Sequence, residues 1–252
     1  MKQYQSDLTD SQWKVIQKFF DVKRKRKHPL RQILNAILYL VKSGCQWRML
    51  PANFAPWQTV YYYFRRWKQL GYFEEIHDTL VSDLRVKKGK SSSPSVGIID
   101  SQSVKITGVG GHCIGYDAGK KIKGRKRHLI VDTLGLIIGL EVHGANEQDR
   151  NAGRKVVGKL KFKFPRLQKI YADGGYSGSL IDFVMEKFGW IVEIVKRSDG
   201  PFKILPKRWI VERTFSWLNW DRRNSKDYEY LTESSEAMIR LSMITKMLKH
   251  FA

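Results

Sequence analysis

Two aspartates stand in sequence contexts that suit metal chemistry. Asp100 and Asp173 each close a short apolar run, Ser95–Asp100 and Lys169–Asp173, and each run predicts a strand that ends in an acid. Because strand ends in an α/β sheet gather at one edge, where ligands tend to bind, we expect the two carboxylates to lie close together. Close carboxylates repel each other unless a cation lies between them, and hard oxygen ligands select Mg²⁺ or Mn²⁺.

A third acid, Glu212, lies in the segment Pro206–Arg223, which contains no glycine and no proline after its first residue. This pattern predicts a helix, and proline suits its first turn. At 100° per residue the apolar positions share one stripe, and Glu212 lies on the adjoining stripe. The apolar positions are Val211, Phe215 and Leu218. Taken alone, Glu212 is more typical of a surface ion pair with Arg208, which is worth only a few tenths of a kcal/mol.

Together the three acids predict a site for two metal ions. Three carboxylates can hold two ions about 3.5–4 Å apart, one activating the attacking oxygen and one stabilising the leaving oxygen of a phosphodiester. Each aspartate alone is more typical of a turn or a helix cap, but all three in a strongly basic chain favour a metal site. Asp132, beside a predicted hairpin turn, is a rival ligand.

The charge balance indicates a polyanionic partner. The 252 residues include 46 Lys and Arg against 24 Asp and Glu, a formal net charge of +22. Nucleic acid is the usual partner of so basic a chain. A membrane surface is the alternative, but no apolar run reaches the roughly 18 residues of a spanning helix. The first residues lack the apolar core of a signal peptide, so we expect a cytoplasmic protein. The two cysteines suit free thiols in a reducing compartment.

The first third of the chain has helical periodicity. Short helices joined by short turns, the third beginning near Thr59 and carrying Arg65, Arg66 and Lys68, are typical of a helix-turn-helix DNA reader, although any small helical bundle shows the same periodicity. The basic run Lys23–Lys27 is either a solvated segment or a phosphate contact.

A change from helical periodicity to strand-like runs predicts two domains. The spacer Lys87–Pro94 has no apolar side chain before its proline, and strand-like runs follow it, among them the hairpin His128–His143. We therefore predict a helical DNA-binding domain over residues 1–88 and an α/β domain over residues 89–252.

Four ordered blocks of sequence resemble the DDE transposases of bacterial insertion sequences, in particular the group typified by insertion sequence five. The blocks are Ile98–Lys105, Gly124–Gly135, Tyr171–Gly178 and Arg208–Leu218, and the N-terminal part is similar to the same group. The resemblance implies a ribonuclease-H-like catalytic domain with Asp100, Asp173 and Glu212 as its metal-binding triad. It also implies an N-terminal domain that recognises terminal inverted repeats. In such enzymes water attacks the transposon end, and the exposed 3′-OH then attacks target DNA.

The resemblance also implies a homodimer assembled on double-stranded DNA, in a prokaryotic, nucleoid-associated setting. Basic residues around the predicted site are candidate phosphate contacts, although a solvated loop and a structural histidine are the alternatives. They are Lys105, Arg125, Lys126, Arg127, His128, Arg208, Arg213, Arg222 and Arg223. Two rival functions stay open: a nuclease of the same fold that cuts without joining, and a DNA-binding protein that has lost catalysis.

Overall fold

The computed structural model describes residues 4–108, 111–160, 162–195 and 207–251. Its chain forms two compact units. The helical unit comprises Met1–Leu80, Leu218–Ser225 and Ala237–Ala252, and the sheet unit comprises Val81–Trp217 and Lys226–Glu236. Within the described ranges, no helix is both long and apolar enough to span a bilayer.

Local signals set the ends of the first helices of the helical unit. Thr9 caps the first helix through a capping box with Gln12. Gly44, with φ of 71°, ends the second helix and donates its N–H to the Leu40 carbonyl. The α-helices with most of their residues in this unit are α1 (Asp10–Ile16), α2 (Leu30–Ser43), α3 (Trp57–Gln69), α4 (Tyr72–Lys87) and, near the end of the chain, α8 (Thr232–Leu248).

The C-terminal segments of the helical unit pack with its N-terminal helices. Gln12 donates to the Leu248 carbonyl at 3.4 Å, and Lys42 pairs with Asp221 at 3.1 Å. Arg223 is buried and donates to the Cys45 carbonyl. The division expected at residues 88 and 89 places these segments with the α/β domain. Their contacts, however, are made with α1, with α2 and with Cys45, two residues after α2.

The sheet unit is built on a mixed sheet. Strands β1, β3 and β4 pair antiparallel, β5 joins β1 in parallel, and β6 joins β5 in parallel. The strand order is therefore β4-β3-β1-β5-β6, with the short β2 also paired to β3. The strands are β1 (Val96–Lys105), β2 (Gly115–Asp117), β3 (Ile122–Val131), β4 (Ile137–Gly144), β5 (Lys169–Ala172) and β6 (Ile191–Ile194). Three helices complete the unit: α5 (Asp149–Gly158), α6 (Ser179–Phe188) and α7 (Arg208–Asn219).

The α/β class and the β3–β4 hairpin are confirmed, but two strand boundaries were predicted wrongly. β1 does not end at Asp100, because its polar continuation pairs with β3 as far as Lys105. β3 begins at Ile122, six residues before the start of the predicted hairpin His128–His143. The start predicted for α7, Pro206, lies outside the described residues.

Candidate active site

Asp100 and Asp173 lie on neighbouring parallel strands in the same register. The pair Ile98↔Tyr171 joins β1 to β5, and each aspartate lies two residues beyond it. Asp173 directly follows β5 and accepts a hydrogen bond from the Gly175 N–H at 2.9 Å. Asp100 accepts one from the Ser101 N–H at 2.7 Å. The predicted convergence of the two acids is therefore a consequence of sheet register.

The electrostatics of Asp100 reflect this convergence. Burial raises its pKa to about 6, and the negative charge of Asp173 adds to the increase. The Ser101 N–H and the Arg208 guanidinium act in the opposite direction. A carboxyl group whose pKa is raised both by burial and by a like charge is stabilised in its ionised form by a nearby cation.

Helix α7 brings Arg208 to Asp173 and places Glu212 one helical turn beyond Arg208. Arg208 Nη2 lies 3.6 Å from Asp173 Oδ2 and 4.0 Å from Glu212 Oε1. The Arg208 side chain is 9% exposed, whereas that of Glu212 is 59% exposed. The ion pair expected for Glu212 alone is therefore present, and it extends to Asp173.

The apolar stripe and the polar contacts of α7 fix its orientation within the sheet unit. Val211 and Phe215 are buried, as the periodicity predicts. Thr214 Oγ1 donates to the Gly135 carbonyl at 2.9 Å, and Arg213 Nη2 donates to the Leu134 carbonyl at 2.9 Å. These bonds attach α7 to the β3–β4 turn, so the position of Glu212 depends on that turn.

The donor set has the chemistry of a divalent-cation site, although an arginine supplies the positive charge in this conformation. Within the described ranges, no three His, Cys, Asp or Glu side chains are arranged to hold a metal ion. Asp100, Asp173 and Glu212 offer only carboxylate oxygens, the ligand type that Mg²⁺ and Mn²⁺ prefer. Burial raises the pKa of Asp100 most and the charge of Asp173 adds to it, and a cation beside the two aspartates would oppose both effects.

A fourth acid, Asp149, lies behind the site and was not predicted as part of it. It accepts hydrogen bonds from Ser101 Oγ at 3.0 Å and from Lys126 Nζ at 2.9 Å. His128 Nε2 lies 3.6 Å from the same carboxylate. Asp149 is the first residue of α5, and acids are common in a first helical turn, so no sequence signal separates it from an ordinary first-turn acid.

Burial contradicts several of the predicted phosphate contacts. Arg125 is fully buried and donates to Asp227, to Ser235 and to backbone carbonyls. Arg127 is 2% exposed, and burial lowers its pKa to about 10. His128 is fully buried against His143, with 2.7 Å between their ring nitrogens, and Lys126 is held by Asp149. These four side chains support the sheet unit and do not face a ligand.

The other predicted site residues differ in their accessibility. Lys105 is exposed at the end of β1, and on α3 Arg65 and Arg66 are exposed while Lys68 is half-buried. Arg222 and the buried Arg223 belong to the helical unit.

Two further side chains have defined structural surroundings. The guanidinium of Arg213 lies over the rings of Trp209 and Trp217, at 4.7 and 4.6 Å. Asp132 is fully buried, pairs with Arg85 and accepts two backbone N–H bonds, so it is not a rival ligand.

The mixed sheet, the two aspartates in register and the acid on α7 match the layout that the resemblance implies for a DDE transposase. A family model described as "Transposase DDE domain" matches residues 91–245, and one described as "Putative transposase of IS4/5 family" matches residues 8–77. The chain therefore belongs to the DDE transposase family. The resemblance that the four sequence blocks indicate is confirmed, and so is the α/β class of the sheet that follows the N-terminal helices.

Individual relatives are more distant. The chain is 27% identical over 113 residues to the "Insertion element IS402 uncharacterized 16.2 kDa protein" of Burkholderia cepacia, which covers 41% of this chain and 76% of that protein. Among solved structures, the Mos1 strand transfer complex aligns over 90% of this chain and 78% of its own, with 14% identity and a TM-score of 0.31. The Mos1 paired-end complex with left transposon end gives 14% identity, 90% and 79% coverage and a TM-score of 0.27. TM-scores this low support no conclusion about this chain.

Proposed function

We propose that this protein is an active DNA transposase that binds the terminal inverted repeats of its insertion sequence, cuts at the transposon ends and joins the 3′-OH ends to target DNA. The observation that carries the proposal is the register of β1 and β5, which sets Asp100 beside Asp173 while α7 adds Glu212. A protein that only binds DNA has no need of two aspartates in register beside a helix that carries a third acid.

Asp100, Asp173 and Glu212 would hold Mg²⁺ or Mn²⁺, with two ions in each active site. When bound, such a pair activates the attacking oxygen and stabilises the leaving oxygen of a phosphodiester. The chain itself positions the ligands. The Ser101 N–H orients Asp100, the Gly175 N–H orients Asp173, and α7 presents Glu212.

The partner that fits the charge is double-stranded DNA. The net charge of +22 favours a polyanion, and Arg65 and Arg66 are exposed on one helix of the helical unit. Because two transposon ends must be joined to one target, we propose a homodimer assembled on DNA. End recognition is assigned to the helical unit, which also includes Leu218–Ser225 and Ala237–Ala252, and catalysis to the sheet unit.

A joining assay separates the candidate functions. Labelled duplexes carrying the ends of the element are incubated with the protein, Mg²⁺ and a supercoiled target plasmid. We expect the duplexes to be cleaved at the transposon ends and the labelled ends to become covalently joined to the plasmid. Cleavage without joining would identify the cutting-only nuclease, and binding without cleavage would identify the inactive DNA-binding protein.

A further inference from the structure

A cavity of about 410 Å³ lies in the helical unit between the segment Asp21–Lys27 and α3. Its wall combines cationic and aromatic side chains, among them Arg24, Lys25, Lys27, Tyr62, Arg66 and Tyr72. A concave surface of this composition suits an anionic group bound beside an aromatic surface.

The segment that forms one side of the cavity is folded around Arg26. Its guanidinium donates to the Arg24 carbonyl at 2.8 Å and to the Asp21 carbonyl. It also pairs with the Asp21 carboxylate at 3.1 Å. Asp21 is the only acid among the residues that line the cavity, so Arg26 already compensates the one negative charge there.

Three of the remaining cations of the wall, Arg24, Lys25 and Lys27, have no side-chain partner among the described residues. In the part of the chain that the structure describes, no hydrogen bond or ion pair engages the side chains of Arg24, Lys25 or Lys27. On the opposite wall, Arg66 donates to the Tyr62 hydroxyl at 3.0 Å, which orients its guanidinium. Several unpaired positive charges that face one cavity repel each other, and a phosphate relieves this repulsion.

The exposed face of α3 beside the cavity carries groups that can read bases. Val60, Phe64 and Trp67 are buried, so the opposite face of α3 is turned to solvent. Exposed side chains recur on that face at helical spacing and line an adjoining opening of about 520 Å³: Gln58, Tyr62, Arg65 and Gln69. Glutamine pairs with adenine and arginine with guanine through two hydrogen bonds in the major groove.

We propose that the cavity is a phosphate-binding subsite for the DNA backbone and that the adjoining face of α3 reads base edges in the major groove. The inference rests on the proposed function, because the DNA is that of the transposon ends. The proposal assigns the two roles to different residues of one small surface. The segment Asp21–Lys27 and Arg66 hold the backbone, whereas Gln58, Arg65 and Gln69 select the sequence.

The test measures salt dependence and sequence preference separately. Binding of the full-length protein is followed by fluorescence anisotropy, with a duplex of the element's end and an unrelated duplex, over a range of salt concentrations. Each phosphate contact contributes about 0.9 to the slope of log affinity against log salt. In the triple variant Arg24→Gln, Lys25→Gln and Lys27→Gln, we expect the slope to fall by about 1–2, with the same loss of affinity for both duplexes.

Variants of the base-reading face should change the sequence preference and leave the salt dependence as it is. For Gln58→Ala and Gln69→Ala we expect preference for the end duplex to fall about tenfold, with the salt slope unchanged. The matched control is Lys14→Gln, an exposed base of the same unit that does not line the cavity, and it should leave slope and preference unchanged. Arg26 is kept in every variant so that the segment retains its fold.

Three outcomes distinguish the ideas. A triple variant with the slope of the wild type, or with a loss no larger than that of Lys14→Gln, would overturn the phosphate subsite. Glutamine variants that lose affinity equally for both duplexes would overturn the base-reading role. If the wild type binds neither duplex, the proposed transposase function itself fails.

Discussion

The guanidinium of Arg208 lies 3.6 Å from the carboxylate of Asp173, and the same group lies 4.0 Å from Glu212. Arginine therefore supplies positive charge among the acids of the site. The pKa of Asp100 is raised by burial and by Asp173, and Arg208 limits the increase. The site thus contains a resident cation, and its removal should have measurable consequences.

Replacing Arg208 should make the protein more dependent on a divalent cation. For Arg208→Gln we expect a loss of unfolding free energy without metal, because like charges are left uncompensated. The loss should be smaller than the roughly 3–5 kcal/mol of a fully buried pair, since Asp173 and Glu212 stay partly exposed. Thermal unfolding with and without Mg²⁺ should show a larger stabilisation in the variant than in the wild type. Equal stabilisation would contradict this role, and Arg150→Gln, exposed on α5, is the control.

Arg125 should matter for stability and not through contact with DNA. Its guanidinium is fully buried and pairs with Asp227 at 3.2 Å. Arg125→Gln leaves the Asp227 carboxylate buried without its ion-pair partner, and we expect a loss of about 3–5 kcal/mol in urea unfolding. Lys105→Gln, at the exposed end of β1, should change the stability by less than about 0.5 kcal/mol. Stability losses of equal size in the two variants would refute the structural role.

Asp149 should position the site through Ser101. In Asp149→Ala, Lys126 loses its ion pair with that carboxylate and the Ser101 hydroxyl loses its acceptor. We expect a loss of about 2–4 kcal/mol in unfolding free energy, because the Lys126 ammonium is buried. Asp149→Asn keeps an acceptor and should recover part of the loss. Asp182→Ala, on the exposed side of α6, serves as the reference. If Asp149→Ala loses no more unfolding free energy than Asp182→Ala, Asp149 does not hold Ser101 and Lys126 in place.

The paired histidines His128 and His143 make stability depend on pH. His143 Nδ1 contacts the Gly144 carbonyl at 2.9 Å and so donates to it, which leaves its Nε2 to accept from His128. Burial and the neighbouring His143 hold the pKa of His128 well below its usual range, although Asp149 opposes this. A folded-state pKa below the unfolded value contributes stability above about pH 6.5, and that stability is lost as the pH falls.

The contribution of His128 is isolated by comparing variants. Tyr176, Asp149 and Lys126 also surround this ring, and Asp100, with its raised pKa, has the opposite pH dependence. We therefore expect unfolding free energy measured by urea at pH 7 and pH 5 to fall less in His128→Gln than in the wild type. His28→Gln should retain the pH dependence of the wild type. The same pH dependence in His128→Gln would show that His128 does not carry it.

Local signals were readable from the sequence, and long-range partners were not. The capping box at Thr9 and the left-handed Gly44 depend on neighbours within a few residues, so composition and spacing predict them. The apolar stripe of α7 is likewise local. The acids were found because Asp173 ends a short apolar strand and Glu212 adjoins that stripe.

The misread stretch was Arg125–His128, which the sequence presents as an exposed basic loop. Alternate residues of this strand face opposite sides of the sheet. Arg125 reaches Asp227, and Lys126 reaches Asp149 on the other side. The partners in these two pairs are 102 and 23 residues apart in the chain, and such long-range pairs produce no periodic pattern in a single sequence. The placement of most of α8 in the helical unit also depends on long-range contacts, so the sequence does not predict it. Removal of residues 1–88 would therefore expose apolar side chains of α8.

The most direct test of the account is metal-dependent cleavage of duplexes that carry the ends of the element. The wild type, Glu212→Gln and Asp100→Asn are compared with Mg²⁺ and with EDTA, and binding to the same duplexes is measured alongside. We predict nicks at the 3′ ends of the transposon for the wild type with Mg²⁺ only, and no cleavage by either variant despite retained binding. Cleavage that persists in Glu212→Gln or Asp100→Asn would contradict the assigned triad, and binding without cleavage by the wild type would contradict the transposase activity.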